Sequence, residues 1–171
     1  KDKRYGTFPS ASFAWRIINE PFFPNGTPLN DLKLRASWGK TGSMDGISNW
    51  AAMSLVTSGG NSYNGSSGFK IGADAADLIW EKANQVNVGI NAELFNGRLA
   101  LSVDGYYQKT SGLLYNISTL ATTGYTTRTA NIGSLENKGL EVMVSGKIFD
   151  GPFKWELATN LSLSLIHISE P

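Results

Sequence analysis

The chain has 171 residues, no cysteine, one histidine, and 15 basic against 14 acidic residues, for a net charge of +1. So even a balance gives no long-range attraction for nucleic acid, and the lack of cysteine removes disulfides, thiolate nucleophiles and zinc–thiolate sites. No apolar run approaches the roughly 18 residues of a membrane-spanning helix, which still leaves β-barrels open, because their strands alternate faces and average to a soluble-like hydropathy.

The chain opens on Lys1-Asp2-Lys3-Arg4-Tyr5, with no initiating Met and no signal segment, and stops inside an apolar run, so we read it as a piece of a longer protein. Six stretches then carry a period of two and read as strands. Ala11, Phe13, Trp15 and Ile17 alternate with Ser12, Ala14 and Arg16; after a moderate turn over Asn19 to Asp31, Leu32, Leu34, Ala36 and Trp38 alternate with Lys33, Arg35 and Ser37. A long Gly-, Ser- and Asn-rich loop follows from Gly39 to Lys82, with short strand fragments expected around Met53 to Val56 and Phe69 to Ile71. Val86, Val88, Ile90, Ala92 and Leu94 then share one face, with Asn87, Gly89, Asn91 and Glu93 on the other. Asn96-Gly97 predicts a type I′ hairpin turn, whose two central residues need positive φ. Leu99, Leu101 and Val103 return opposite Ser102, Asp104 and Gln108. A second long loop, Lys109 to Asn137, leads to Leu140, Val142, Val144 and Ile148, a tight turn at Asp150-Gly151-Pro152, and Phe153, Trp155, Leu157, Leu161 and Leu163.

Alternating strands suit either a soluble sandwich or a membrane wall. Sandwich strands are usually about five or six residues long, whereas three of these run to about ten, enough to cross a bilayer at a tilt. Aromatics gather at strand ends: Tyr106 and Tyr107 at one interface, Phe95, Phe149, Phe153 and Trp155 near the other, roughly 26 Å apart in height at about 3.4 Å per residue. Connections are sorted, short at one end and long at the other, the arrangement of outer-membrane barrels. A basic side chain facing mid-bilayer lipid costs about 2–4 kcal/mol, so the face with Asp104, Glu141, Lys147, Lys154 and Glu156 must look into the lumen. Six strands cannot close a membrane barrel, and an open edge in lipid leaves backbone groups unpaired. The expected fold is therefore all-β: an antiparallel up-and-down sheet of about six or more strands, part of the wall of a larger barrel.

Particular residues carry a family likeness. Arg4-Tyr5-Gly6, Phe8-Pro9-Ser10, Trp15-Arg16-Ile17, the run from Leu32 to Gly42, Trp80-Glu81-Lys82, Asn131-Ile132-Gly133 and Glu136-Asn137-Lys138-Gly139-Leu140-Glu141 together resemble the C-terminal barrel region of SusC/RagA-type TonB-dependent outer-membrane transporters of the Bacteroidetes. The resemblance covers residues 1–164. It implies a Gram-negative outer-membrane barrel with a plug, energised through TonB and capped by a SusD-like lipoprotein, importing oligosaccharides or peptides, with no catalytic residues, cofactor or metal. Residues 165–171, Leu165-Ile166-His167-Ile168-Ser169-Glu170-Pro171, instead resemble translated adapter sequence and are expected to be a non-native tail without structural weight.

Other motifs fail on their own chemistry. Gly39-Lys40-Thr41 lacks the P-loop glycine five positions earlier, where Leu34 stands, and a following helix. Asp74, Asp77 and Glu81 do not have EF-hand spacing. Asn-x-Ser/Thr triplets at Asn25, Asn64, Asn116 and Asn160 are expected by chance in so Asn- and Ser-rich a chain. A Ser-His-Asp arrangement lacks its base, since His167 lies in the tail, and nothing favours a carboxylate pair such as Asp45 with Asp74. Trp50, Tyr63, Tyr115 and Tyr125 are candidates to stack on sugar rings, the alternative being that they pack their own loops or anchor at the interface. Two rivals to the transporter stay open: a passive porin or adhesin barrel, and a secreted carbohydrate-binding sandwich.

Overall fold

The computed structural model describes all residues except 1–4, 25, 46–54, 73–77, 124–126 and 170–171. Its strands are β1 (Ser10–Arg16), β2 (Leu29–Ser43), β3 (Val56–Tyr63), β4 (Ser66–Ile71), β5 (Glu81–Leu94), β6 (Leu99–Ser111), β7 (Leu114–Ser118), β8 (Thr127–Asn131), β9 (Ser134–Asp150) and β10 (Lys154–Ser169). Six form one antiparallel sheet in the order β1-β2-β5-β6-β9-β10, so each strand lies beside its neighbour in sequence once the outer hairpins β3-β4 and β7-β8 are set aside. This is the expected up-and-down wall.

The connections are sorted as the sequence predicts. β5-β6 and β9-β10 close at one end through Phe95–Arg98 and Gly151–Phe153, and the β1-β2 link at that end begins with a 3₁₀ turn, Ile17–Asn19. At the other end, β3-β4 and β7-β8 rise from the two long loops. The β5-β6 turn is built round the predicted pair: Asn96 and Gly97 have φ of 56° and 76°, and the Arg98 N–H donates to the Phe95 carbonyl at 3.2 Å. Phe95 also takes a positive φ, 57°, which the pattern did not foretell. The neighbouring strand secures this turn, since Asn30 Oδ1 accepts from the Asn96 N–H at 2.6 Å and its Nδ2 donates to Asn96 Oδ1 at 3.0 Å.

The strands are longer than the alternation alone indicates, 13 residues in β6 and 17 in β9. They extend toward the long loops, where polar residues occupy both faces and the hydropathy signal fades while the ladder continues through Lys82↔Ser111 and Ser111↔Ser134. β10 likewise runs past Ser164 to Ser169 in register with β9, Leu165↔Lys138 through Ser169↔Ser134. Residues 165–169 are thus paired in the sheet as the end of β10. Backbone pairing explains this, because an alternating Leu/Ile segment fits any open antiparallel edge whatever its origin.

Register divides the sheet into two unlike faces. One carries the rows Phe13-Ala36-Val88-Gly105-Leu140-Leu163 and Trp15-Leu34-Ile90-Val103-Val142-Leu161. The next rows toward the turns, through Ala92 and Leu94, add Leu101, Val144, Leu99 and Leu157 and hold no charge. The opposite face carries Arg35, Gly89, Asp104, Glu141 and Ser162 in a single row. In a sandwich the apolar rows would be covered. Here Ala92 is the one buried hydrophobic residue among those described, and Val88, Ile90 and Leu163 remain 49%, 46% and 61% exposed. Among the described residues no second sheet or helix covers that face; Phe22 meets Trp15 edge-on at its turn end and Phe8 lies over Gly42 at its loop end.

The charged face and the rim as candidate functional site

At the centre of the charged face, Arg35 reaches from β2 across β5 to β6. Its Nη2 donates to Asp104 Oδ1 at 2.8 Å and Oδ2 at 3.1 Å, and its Nε donates to Asn91 Oδ1 at 3.1 Å. Ser102 Oγ donates to Asp104 Oδ2 at 2.8 Å. The bridge passes directly over Gly89, where a Cβ would fall on the Asp104 carboxylate and stand 3.1 Å from Arg35 Nη2. Glycine is needed there for space. Toward the turns Arg16 pairs with Asp31 at 2.8 Å. The face thus holds charges of both signs, two of them paired between adjacent strands and two across an intervening strand, as suits a wetted lining.

Tyr106 belongs to this face, which corrects its assignment to an interface girdle. Its hydroxyl is 3.1 Å from Ser164 Oγ, two strands away, and its ring covers Gly139, whose added Cβ would lie 2.6 Å from Tyr106 Cζ. Adjacent residues of a strand point to opposite faces, so only Tyr107 stands on the apolar side, in one row with Val86 and Trp38. Phe95, Phe149, Phe153 and Trp155 do gather at the turn end. Phe149 and Trp155 stack with centroids 6.1 Å apart, beside a bulge where Trp155 faces Phe149 and Glu156 faces Lys147.

At the rim one asparagine joins three segments. Asn131 Oδ1 accepts from the Ile79 N–H at 2.9 Å, and its Nδ2 donates to the carbonyls of Ile79 and Gly112, both at 2.8 Å. Glu81 Oε1 accepts from the Leu114 N–H at 2.6 Å. Gly112 and Gly133, with φ of 67° and 74°, form the joint where β6 and β9 give way to β7 and β8, and the Gly112 N–H donates to the Gly133 carbonyl. Asn131, bonded to Ile79 just before Trp80-Glu81-Lys82, and Glu81, bonded to Leu114, therefore form a clasp between the wall and its outer hairpins. Sequence reading noted the motifs that hold both residues, without these contacts.

Of the four loop aromatics, Trp50 and Tyr125 lie outside the described residues, as does the side chain of Tyr63. Tyr115 stands on β7 opposite Ala130 and is 70% exposed. Gly39, Lys40 and Thr41 are ordinary members of β2, with no helix after them. Asp74 and Asp77 lie outside the described residues, and no group of three His, Cys, Asp or Glu among the described residues is placed to hold a metal. His167 stands opposite Glu136 in the sheet, away from the charged face.

The family model described as "TonB dependent receptor-like, beta-barrel" matches residues 1–168. The chain belongs to that family. It is 36% identical to the TonB-dependent receptor SusC of Bacteroides thetaiotaomicron over 95% of its own length and 17% of that protein's. It is 38% identical to TonB-dependent receptor P39 of Formosa agariphila, again over 95% of the chain and 16% of the relative. Among solved structures, the RagAB peptide transporter superposes with a TM-score of 0.83 at 29% identity, covering 99% of this chain and 19% of that one. The RagAB peptide importer in its 'open-open' state gives 0.80 at 29% identity, covering 95% and 18%. The chain thus spans less than a fifth of the proteins it matches, and in this family an open six-stranded sheet is a section of the barrel wall.

Proposed function

We propose that this segment is a lumen-enclosing part of an outer-membrane, TonB-dependent importer that takes up oligosaccharides or peptides together with a SusD-like lipoprotein. The observation that carries the reading is the division of one sheet into a face whose rows from Val88 to the turns are apolar and a face that carries charges of both signs. Hydrocarbon suits the first, at a penalty of about 2–4 kcal/mol for a basic side chain turned into it at mid-bilayer, and water or a plug suits the second. Along β5 the apolar residues from Leu94 to Val86 span roughly 27 Å, or roughly 21 Å of height at a tilt near 40°, which fits within the apolar band of such barrels.

The segment's part in transport is to bound the path and present the outer hairpins. No chemical step is assigned to it. Tyr115, exposed on β7, is the candidate cargo contact, with an apolar ring and a polar tip suited to a half-wet site. Uptake of labelled oligosaccharide and peptide mixtures, compared in cells lacking the full-length protein and in cells lacking TonB, tests the proposal. The same cargo is expected to be lost in both strains. Uptake that persists without TonB would indicate a passive pore, and recovery of the full-length protein in the soluble fraction without detergent would exclude a membrane wall.

A further inference from the structure

On the apolar side, the residues just beyond the Trp38–Val86–Tyr107 row change character. The next row toward the long loops is Lys40, Asn84, Lys109, Glu136 and His167, with Lys138 beside Tyr107 and Lys82 one step further along β5. Four exposed lysines face one carboxylate, and Lys109 alone uses it, at 2.7 Å from Glu136. Among the described residues Lys40, Lys82 and Lys138 have no acidic partner. On the charged face Arg16 and Arg35 are paired, while Lys33 and Lys147, which stand apart from each other, have no acidic partner among the described residues.

We propose that this belt binds the phosphate-bearing headgroup of an anionic lipid in the leaflet at the long-loop end. The inference rests on the reading of the apolar face as lipid-facing. Two residues along a tilted strand raise Lys40 and Lys109 roughly 5 Å above the Trp38–Tyr107 row, from the edge of the hydrocarbon into the headgroup layer, and Lys82 stands higher still, while Lys138 lies at the level of Tyr107. The Lys40 ammonium lies 5.8 Å from the centre of the Trp38 ring, and Trp38 Nε1 donates to Asn84 Oδ1 at 2.9 Å, so this part of the belt is held against the last apolar row.

A cleft of about 460 Å³ opens between Lys40 and Lys82, with Tyr5, Phe8 and Trp80 also in its wall. Phe8 meets Trp80 edge-on at 5.9 Å and covers Gly42, where a Cβ would collide with the ring. Trp80 Nε1 is buried without a hydrogen-bond partner. Ammonium groups, an aromatic floor and a spare N–H donor match an amphiphile with an anionic, oxygen-rich head and apolar chains.

The test uses the full-length protein, delipidated in detergent and titrated with phosphatidylglycerol or phosphatidylcholine under native mass spectrometry. The unaltered protein is expected to retain phosphatidylglycerol preferentially. The triple variant Lys40→Gln/Lys82→Gln/Lys138→Gln should lose that preference, by about fivefold for each lysine removed, while keeping the heat-modifiable migration of a folded barrel. Lys33→Gln, on the charged face, should keep it. Equal retention of the two lipids, an unchanged triple variant, or an equal loss in Lys33→Gln would overturn the proposal while leaving the membrane wall intact. A full-length protein soluble without detergent would overturn both.

Discussion

Gly89 shows how closely one residue can be specified by its neighbours across a sheet. It sits under the Arg35–Asp104 bridge, and its missing side chain gives the carboxylate its place. Both ion-pair partners keep access to water, with side chains 43% and 36% exposed, so the pair alone is worth about 0–1 kcal/mol. Crowding the floor should cost more: Gly89→Ala is expected to destabilise the full-length barrel by about 1–3 kcal/mol. Asp104→Ala removes the obstacle, so the double variant should lose less than the sum of the singles, by about 0.5–3 kcal/mol. Urea unfolding of the detergent-solubilised barrel measures both, and strictly additive losses would show that the carboxylate is not what excludes a side chain at Gly89. Alternation along the chain already put Asp104 and Gly89 on the wet side. That Arg35 closes over them depends on the register of β2 against β5, which no local pattern states. Tyr106 is the opposite lesson, since the period of two itself separates it from Tyr107, and a girdle built from both ignores that signal.

At the scale of elements, hairpins were legible where the turn chemistry was read and missed where it was not. Asn96-Gly97 marks the β5-β6 turn; Asn64-Gly65, with φ of 49° and 81°, makes the same kind of turn between β3 and β4. The loop there is polar on both sides, so no alternation drew attention to the pair. The rim clasp was invisible for another reason: Asn131 is 52 residues from Ile79, and one amide side chain supplies the acceptor and the donors that a strand neighbour would otherwise provide. Asn131→Ala should free the Ile79 and Gly112 backbone groups and loosen the β7-β8 hairpin from the wall. Limited proteolysis of the intact full-length barrel is expected to cut between residues 112 and 133 several-fold faster in this variant, as local opening becomes easier. An unchanged rate would mean that the Gly112–Gly133 joint holds the hairpin without the clasp.

For the molecule as a whole, the decisive property is that the described chain has no core. Large apolar side chains lie exposed across one face and are covered by no second layer, which in water would be a large adhesive patch. A bilayer removes the conflict, and it makes the faces unequal toward charge. Val88→Arg puts a cation on the apolar side, whereas Asn87→Arg, one residue away, puts it among Ser37, Gln85 and Tyr106. The first is expected to cut the yield of assembled, heat-modifiable barrel sharply and the second to leave it near normal. Equal yields would contradict hydrocarbon on the Val88 side.

The sequence by itself determined the strands, the sorting of short and long connections, and which residues share a face, because a period of two and a few turn pairs are written locally and hold in any sheet. Family likeness added that the sheet is a section of a TonB-dependent receptor barrel. Only the tertiary structure decided which distant residues meet: Arg35 with Asp104 over Gly89, Tyr106 with Ser164, Asn131 with Ile79, and the lysines gathered around Trp38 and Tyr107. Those meetings depend on strand register and on contacts between residues far apart in the chain, and a shift of one residue in a ladder would turn the side chains of the shifted strand to the other face.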